Sequence, residues 1–64
     1  MQVNGEQKHL QRSISLGEFL LNEGYDLQKT AVEKNGNIIP KKAYQEEMVC
    51  DNDKLEIVHF VGGG

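Results

Sequence analysis

The sequence predicts an α+β fold, a mostly antiparallel mixed sheet with one main helix packed across one face. Three observations carry that prediction. Asn4-Gly5 and Asn35-Gly36 each sit between short runs with β character, and Asn-Gly is the strongest short hairpin signal, because a type I′ turn needs positive φ at both central residues. Between them, "ISLGEFLLNEG" carries start and stop signals for a helix. The alternating "KLEIVHFV" then reads as a last strand.

The elements follow in order. Residues 1–3 form a very short first strand that turns at Asn4-Gly5. Ser15 is the helix N-cap, Glu18 completes a capping box, and Ile14 with Phe19 can form a hydrophobic staple. Leu16, Phe19 and Leu20 share one face, and Gly24 is placed for a left-handed C′ position. Gly17 inside the first turn weakens the helix by up to about 1 kcal/mol relative to alanine. The second hairpin turns at Asn35-Gly36, with Val32 before it, Ile38 and Ile39 after it, and Pro40 ending the strand. "KKAYQEEMV" reads as a helical turn whose Tyr44 and Met48, at i and i+4, close the bottom of the core. "CDNDK" is a polar turn before the final strand.

Composition narrows the function. At 64 residues the chain is one small domain, near the lower limit for folding without staples. Apolar residues at 38% and charged residues at 27% suit a soluble globular protein. A net charge of −3 argues against a nucleic-acid partner. There is no long apolar run for a membrane span, and polar residues begin at Gln2, so the expectation is a cytoplasmic protein with no membrane partner. Cys50 is the single cysteine. Asp51 and Asp53 lie close by, and nearby carboxylates oppose a thiolate. Nucleophilic catalysis with His9 or His59 as base is disfavoured because a chain this small lacks a buried cleft. The two histidines lack metal-ligand spacing, so no metal is expected.

The last strand is apolar on both sides. Leu55 and Ile57 point one way as core, while Val58 and Phe60 point with Glu56 to the face away from the helix. Either a partner covers that face, or Phe60 folds back over the sheet edge. Three glycines, Gly62, Gly63 and Gly64, follow Val61. Glycine loses more freedom on ordering than any other residue, so these three do not serve stability. A frayed terminus, an expression scar and a tail shaped to enter a narrow channel all remain open on this ground alone.

An early strand and a late strand flanking one helix fit a β-grasp, or ubiquitin-like, arrangement, in which those two strands pair in parallel at the sheet centre. With "VNGE", "SLGEFLLNEGY", "AVEKNGNIIP", Tyr44 and "DNDKLEIVHFVGGG" in that order, the chain resembles the ThiS family of ubiquitin-like sulfur carriers in thiamin biosynthesis over nearly its whole length. Two departures stand out. The first strand is about two residues shorter than in the family, which predicts a ragged edge. Asn52 also replaces a common glycine and is expected to take the left-handed conformation.

The resemblance implies residues 1–61 as a single β-grasp domain and residues 62–64 as a flexible glycine tail. It implies a substrate protein and not an enzyme, with no bound cofactor. The Gly64 carboxylate is adenylated by a ubiquitin-activating-type enzyme that consumes ATP, then becomes a thiocarboxylate. Gly62 and Gly63 thread the partner's channel, and Val58 and Phe60 are the candidate partner interface. Thiazole synthase receives the sulfur, and a donor such as a cysteine desulfurase supplies it. The free chain is expected to be a monomer. A small subunit of molybdopterin synthase, a lysine-linked protein modifier and an inert interaction module are the alternatives.

Overall fold

The computed structural model describes residues 1–61. Gly62, Gly63 and Gly64, for which a partner-threading and reacting role is expected, lie outside the described residues. The strands are β1 (Gln2–Val3), β2 (Glu6–Gln7), β3 (Ile14–Ser15), β4 (Thr30–Lys34), β5 (Asn37–Ile39), β6 (Met48–Val49) and β7 (Lys54–His59). Helix α1 spans Leu16–Asn22, and two 3₁₀ turns cover Leu27–Lys29 and Lys41–Ala43.

Both Asn-Gly dipeptides make the expected turns. Asn4 and Gly5 have φ of 53° and 84°, and Asn35 and Gly36 have 52° and 87°. The five-stranded sheet runs β2-β1-β7-β4-β5. Strands β1 and β7 pair in parallel at its centre, with Val3 opposite Leu55, while the other pairs are antiparallel. That is the β-grasp arrangement.

Helix α1 begins where its cap signals place it. The Ser15 hydroxyl accepts from the Glu18 N–H at 3.0 Å, and Gly24 takes φ of 87° after the C-cap. Its apolar face buries Leu16, Phe19 and Leu20 against Val32, Leu55 and Ile57 of the sheet in one core. Gly17 has a tertiary reason. Its N–H donates to the Tyr44 carbonyl at 2.8 Å, and a Cβ there would stand 3.3 Å from that oxygen and 3.0 Å from Gln45 Nε2. The lost helix propensity allows the 3₁₀ turn after Pro40 to approach closely.

Three expectations need correction. Met48 does not close the core. It is 49% exposed, whereas Val49 is fully buried. The chain changes from 3₁₀ turn to strand after Tyr44, so a period of two replaces the i, i+4 rule. Strand β6 then pairs with β3 as a separate two-stranded sheet, Ile14 opposite Val49, which the sequence pattern did not reveal. Tyr44 is core as expected, and its hydroxyl donates to the Thr30 carbonyl at 2.9 Å.

Asn52 is not left-handed, since Asn4 and Asn35 are the non-glycine positive-φ residues among those described. The turn is closed by the Asp53 N–H donating to the Cys50 carbonyl at 3.0 Å. The N-terminal edge is not ragged either. Met1 is buried, its amino group donates to the Lys8 carbonyl at 2.8 Å, and Asp51 accepts from the Leu10 N–H at 2.8 Å. A neighbouring loop supplies the contacts that a longer strand would have made.

Candidate functional site: the outer face of the sheet

Strand β7 alternates as the sequence requires. Leu55 and Ile57 are buried beneath α1, and Glu56 and Val58 face outward. Val58 is 57% and Phe60 50% exposed, so Phe60 does not fold away. The Phe60 N–H donates to the Lys29 carbonyl at 2.7 Å, which fixes the backbone just past the end of the strand.

Register adds what periodicity could not. Val58 lies opposite Ala31 on β4, Glu56 lies opposite Glu33, and Glu33 in turn lies opposite Ile38 on β5. Ile38, 77% exposed, therefore joins Val58 on the outer face. The residues Ala31, Glu33, Ile38, Glu56 and Val58 line a shallow groove of about 140 Å³. Sequence reasoning missed Ile38 as a surface residue. The available signal was alternation: Ile39 pairs with buried Val32, which turns Ile38 outward.

Two asparagines hold β7 in place. Strand β1 ends as Asn4 turns left-handed; the Asn4 N–H still donates to the Leu55 carbonyl at 2.9 Å, and the Asn4 side-chain amide carries the ladder one step further. Its Oδ1 accepts from the Ile57 N–H at 2.7 Å and its Nδ2 donates to the Ile57 carbonyl at 3.1 Å. Asn35 acts at the other end. Its Oδ1 accepts from the Lys54 N–H at 2.9 Å, and its Nδ2 donates to Asp53 Oδ1 at 2.9 Å.

Asn4→Gly tests this clamp, because glycine keeps the turn and removes only the amide. Two hydrogen bonds at about 1 kcal/mol each set a loss of roughly 1–3 kcal/mol. At about 4–8 °C per kcal/mol for a domain of this size, the melting temperature is expected to fall by roughly 5–20 °C. A melt unchanged within error would show that the clamp contributes nothing.

Asp53 is the buried acceptor that joins the second turn to β7. Burial pushes its carboxyl up, but hydrogen bonds from the Asn35 amide, the Cys50 N–H and the Cys50 thiol, with the Lys34 charge nearby, hold it below the usual carboxylate range. A carboxyl depressed in the folded state contributes stability above its unfolded pKa of about 3.9 and loses it as pH falls through the folded value. Stability is therefore expected to drop below about pH 4, and Asp53→Asn to flatten that part of the profile in equilibrium unfolding. An unchanged acid limb in the variant would remove Asp53 as its source.

Cys50 is half-buried, and its thiol donates to Asn52 Oδ1 at 3.3 Å and Asp53 Oδ2 at 3.4 Å. His9 Nδ1 lies 3.4 Å from Asp51, and the His59 ring centroid lies 6.2 Å from that of Tyr25. Neither histidine hydrogen-bonds the thiol. Among the described residues, no three His, Cys, Asp or Glu side chains converge to hold a metal, and no helix is long and apolar enough to cross a membrane.

The sequence profile of the ThiS family matches residues 1–64. The chain is 41% identical to the sulfur carrier protein ThiS of Bacillus subtilis, covering 100% of this chain and 98% of that one. It is 45% identical over 62 residues to a thiazole synthase of Paramagnetospirillum magneticum, where the match takes 97% of this chain but spans 19% of that protein's length. The crystal structure of a thiamine biosynthesis protein (ThiS) from Geobacter metallireducens superposes with a TM-score of 0.80 at 29% identity, covering 98% of this chain and 96% of that one.

Proposed function

Since the chain belongs to the ThiS family, we propose that it is a sulfur carrier for thiazole formation in thiamin biosynthesis, a protein substrate that a partner enzyme activates. The reacting group is the Gly64 carboxylate. A carboxylate is a poor electrophile, and activation supplies a leaving group. One carboxylate oxygen attacks the α-phosphorus of ATP in the adenylating enzyme and pyrophosphate departs. The persulfide of a donor such as a cysteine desulfurase then attacks the acyl carbon and displaces AMP, giving an acyl disulfide. A thiol cleaves its S–S bond, forming a disulfide with the donor's sulfur and releasing the thiocarboxylate that delivers sulfur to thiazole synthase. The match to a thiazole synthase supports that receiver.

The observation that carries the reading is the apolar outer face on the strand that leads into the glycines. Ordering three glycine backbones in a channel costs roughly 3–6 kcal/mol. Val58 and Phe60, already half-covered, return less than that when buried. With Ile38 added and each side chain weighted by its exposure, burial returns about 3–5 kcal/mol. The face and the tail balance only with all three side chains.

Intact-protein mass spectrometry of the protein purified from its own cells tests the reading. The expected result is one oxygen exchanged for sulfur, localised to the C-terminal peptide. A lysine conjugate, sulfur on Cys50 or a plain carboxylate under thiamin starvation would overturn it.

A further inference from the structure

The outer groove contains a feature that works against the fold. Glu33 and Glu56 are directly opposite each other on β4 and β7, both exposed. Directly opposed residues hold their Cβ atoms about 4.5–5.5 Å apart, and like charges so placed are destabilising. Among the described residues the ion pairs are Met1–Asp51, Lys8–Glu23, His9–Asp51 and Lys34–Glu47, so neither glutamate is ion-paired in this structure. Lys54, two residues before Glu56 on the same strand and face, makes no ion pair with either. Apolar side chains border the pair at two positions, Ile38 beside Glu33 on β5 and Val58 two residues beyond Glu56 on β7.

We propose that Glu33 and Glu56 form a joint seat for one cationic side chain, an arginine or a lysine, that projects from the apolar docking surface of the activating partner. The inference rests on the docking reading above and names the chemistry of that surface. Two carboxylates that repel each other in the free protein accept one cation between them when the face is covered. A guanidinium suits the site best, since its planar fork can donate to two acceptors at once. Covering the groove with apolar surface excludes water and strengthens that contact, while Ile38 and Val58 supply the area around it. A partner lacking a cation there would leave two carboxylates desolvated and unpaired, so the pair selects against wrong surfaces as well as for the right one.

The test is calorimetric titration of the full chain into the adenylating enzyme without ATP, at low and high salt. The variants are Glu33→Gln, Glu56→Gln, their double and Glu33→Lys, with Val58→Ser as reference. The double Gln variant is expected to bind about tenfold or more weakly at low salt, with a shallower salt dependence than the wild type. Its melting temperature should equal or exceed that of the wild type, because a cross-strand repulsion is gone. Glu33→Lys, which sets opposite charges across the strands, should melt higher still and bind worst. A purely structural role would lower stability and binding together.

If the double Gln variant binds like the wild type with the same salt dependence while Val58→Ser weakens binding, the cation seat is wrong and the docking face survives. If Val58→Ser also binds normally, or the wild type does not bind, both readings fall. Loss of wild-type binding in EDTA would assign the pair to a bridging metal ion and overturn the proposal.

Discussion

Adding one residue after Gly64 should abolish sulfur loading without affecting stability. A strand residue spans about 3.3 Å, and reacting atoms must lie within roughly 3–3.5 Å, so one added residue is a full misalignment of the carboxylate. A displacement of about 1 Å can already cost a hundredfold in rate, so loading should fall by at least that factor. Deleting Gly64 makes the opposite error and should fail equally. Gly63→Ala keeps the length but adds a β-carbon and restricts φ, which tests how narrow the channel is. The buried core ends at Ile57, so all three variants should melt with the wild type. Loading would be followed by intact mass with ATP, the adenylating enzyme and a sulfur donor. If the extended chain loads as well as the wild type, the carboxylate of Gly64 is not the reacting group.

The double variant Val58→Glu with Phe60→Glu should fold and fail to be activated. Both side chains are about half exposed, and Phe60 keeps its backbone bond to Lys29, so the core beneath does not change. At an interface the same substitutions remove apolar anchors and bury charge, each worth about 2 kcal/mol or more at a hot spot. ATP–pyrophosphate exchange is therefore expected to fall by roughly a hundredfold or more. The added negative charge lies near Glu33 and Glu56, so Val58→Ser with Phe60→Ser serves as a neutral comparison. It should lose exchange as well, by a smaller factor. Circular dichroism would check the fold, and normal exchange by both variants would remove the patch as the docking surface.

Much of this protein was legible in its sequence, because the signals were local. Both hairpins depend on positive φ at adjacent residues, which asparagine and glycine adopt readily. The helix depends on Ser15 three residues before Glu18 and on Gly24 at its end. The two-faced last strand follows from a period of two. Such features need no knowledge of what lies across the fold. The contacts between elements distant in sequence were hidden. Only the tertiary structure decided that Val49 and not Met48 is core, because β6 turns its alternation to pair with β3. It also decided that Ile38 shares a face with Val58 and that Glu33 faces Glu56, since register joins residues 23 positions apart. Asn4 and Asn35 show both levels in one residue. Their backbone conformation follows from the dipeptide, while the clamps their amides place on Ile57 and Lys54 exist only once β7 has come between β1 and β4. A turn is specified by the steric limits of its own residues, but a hydrogen bond across 53 residues depends on where the rest of the chain has packed.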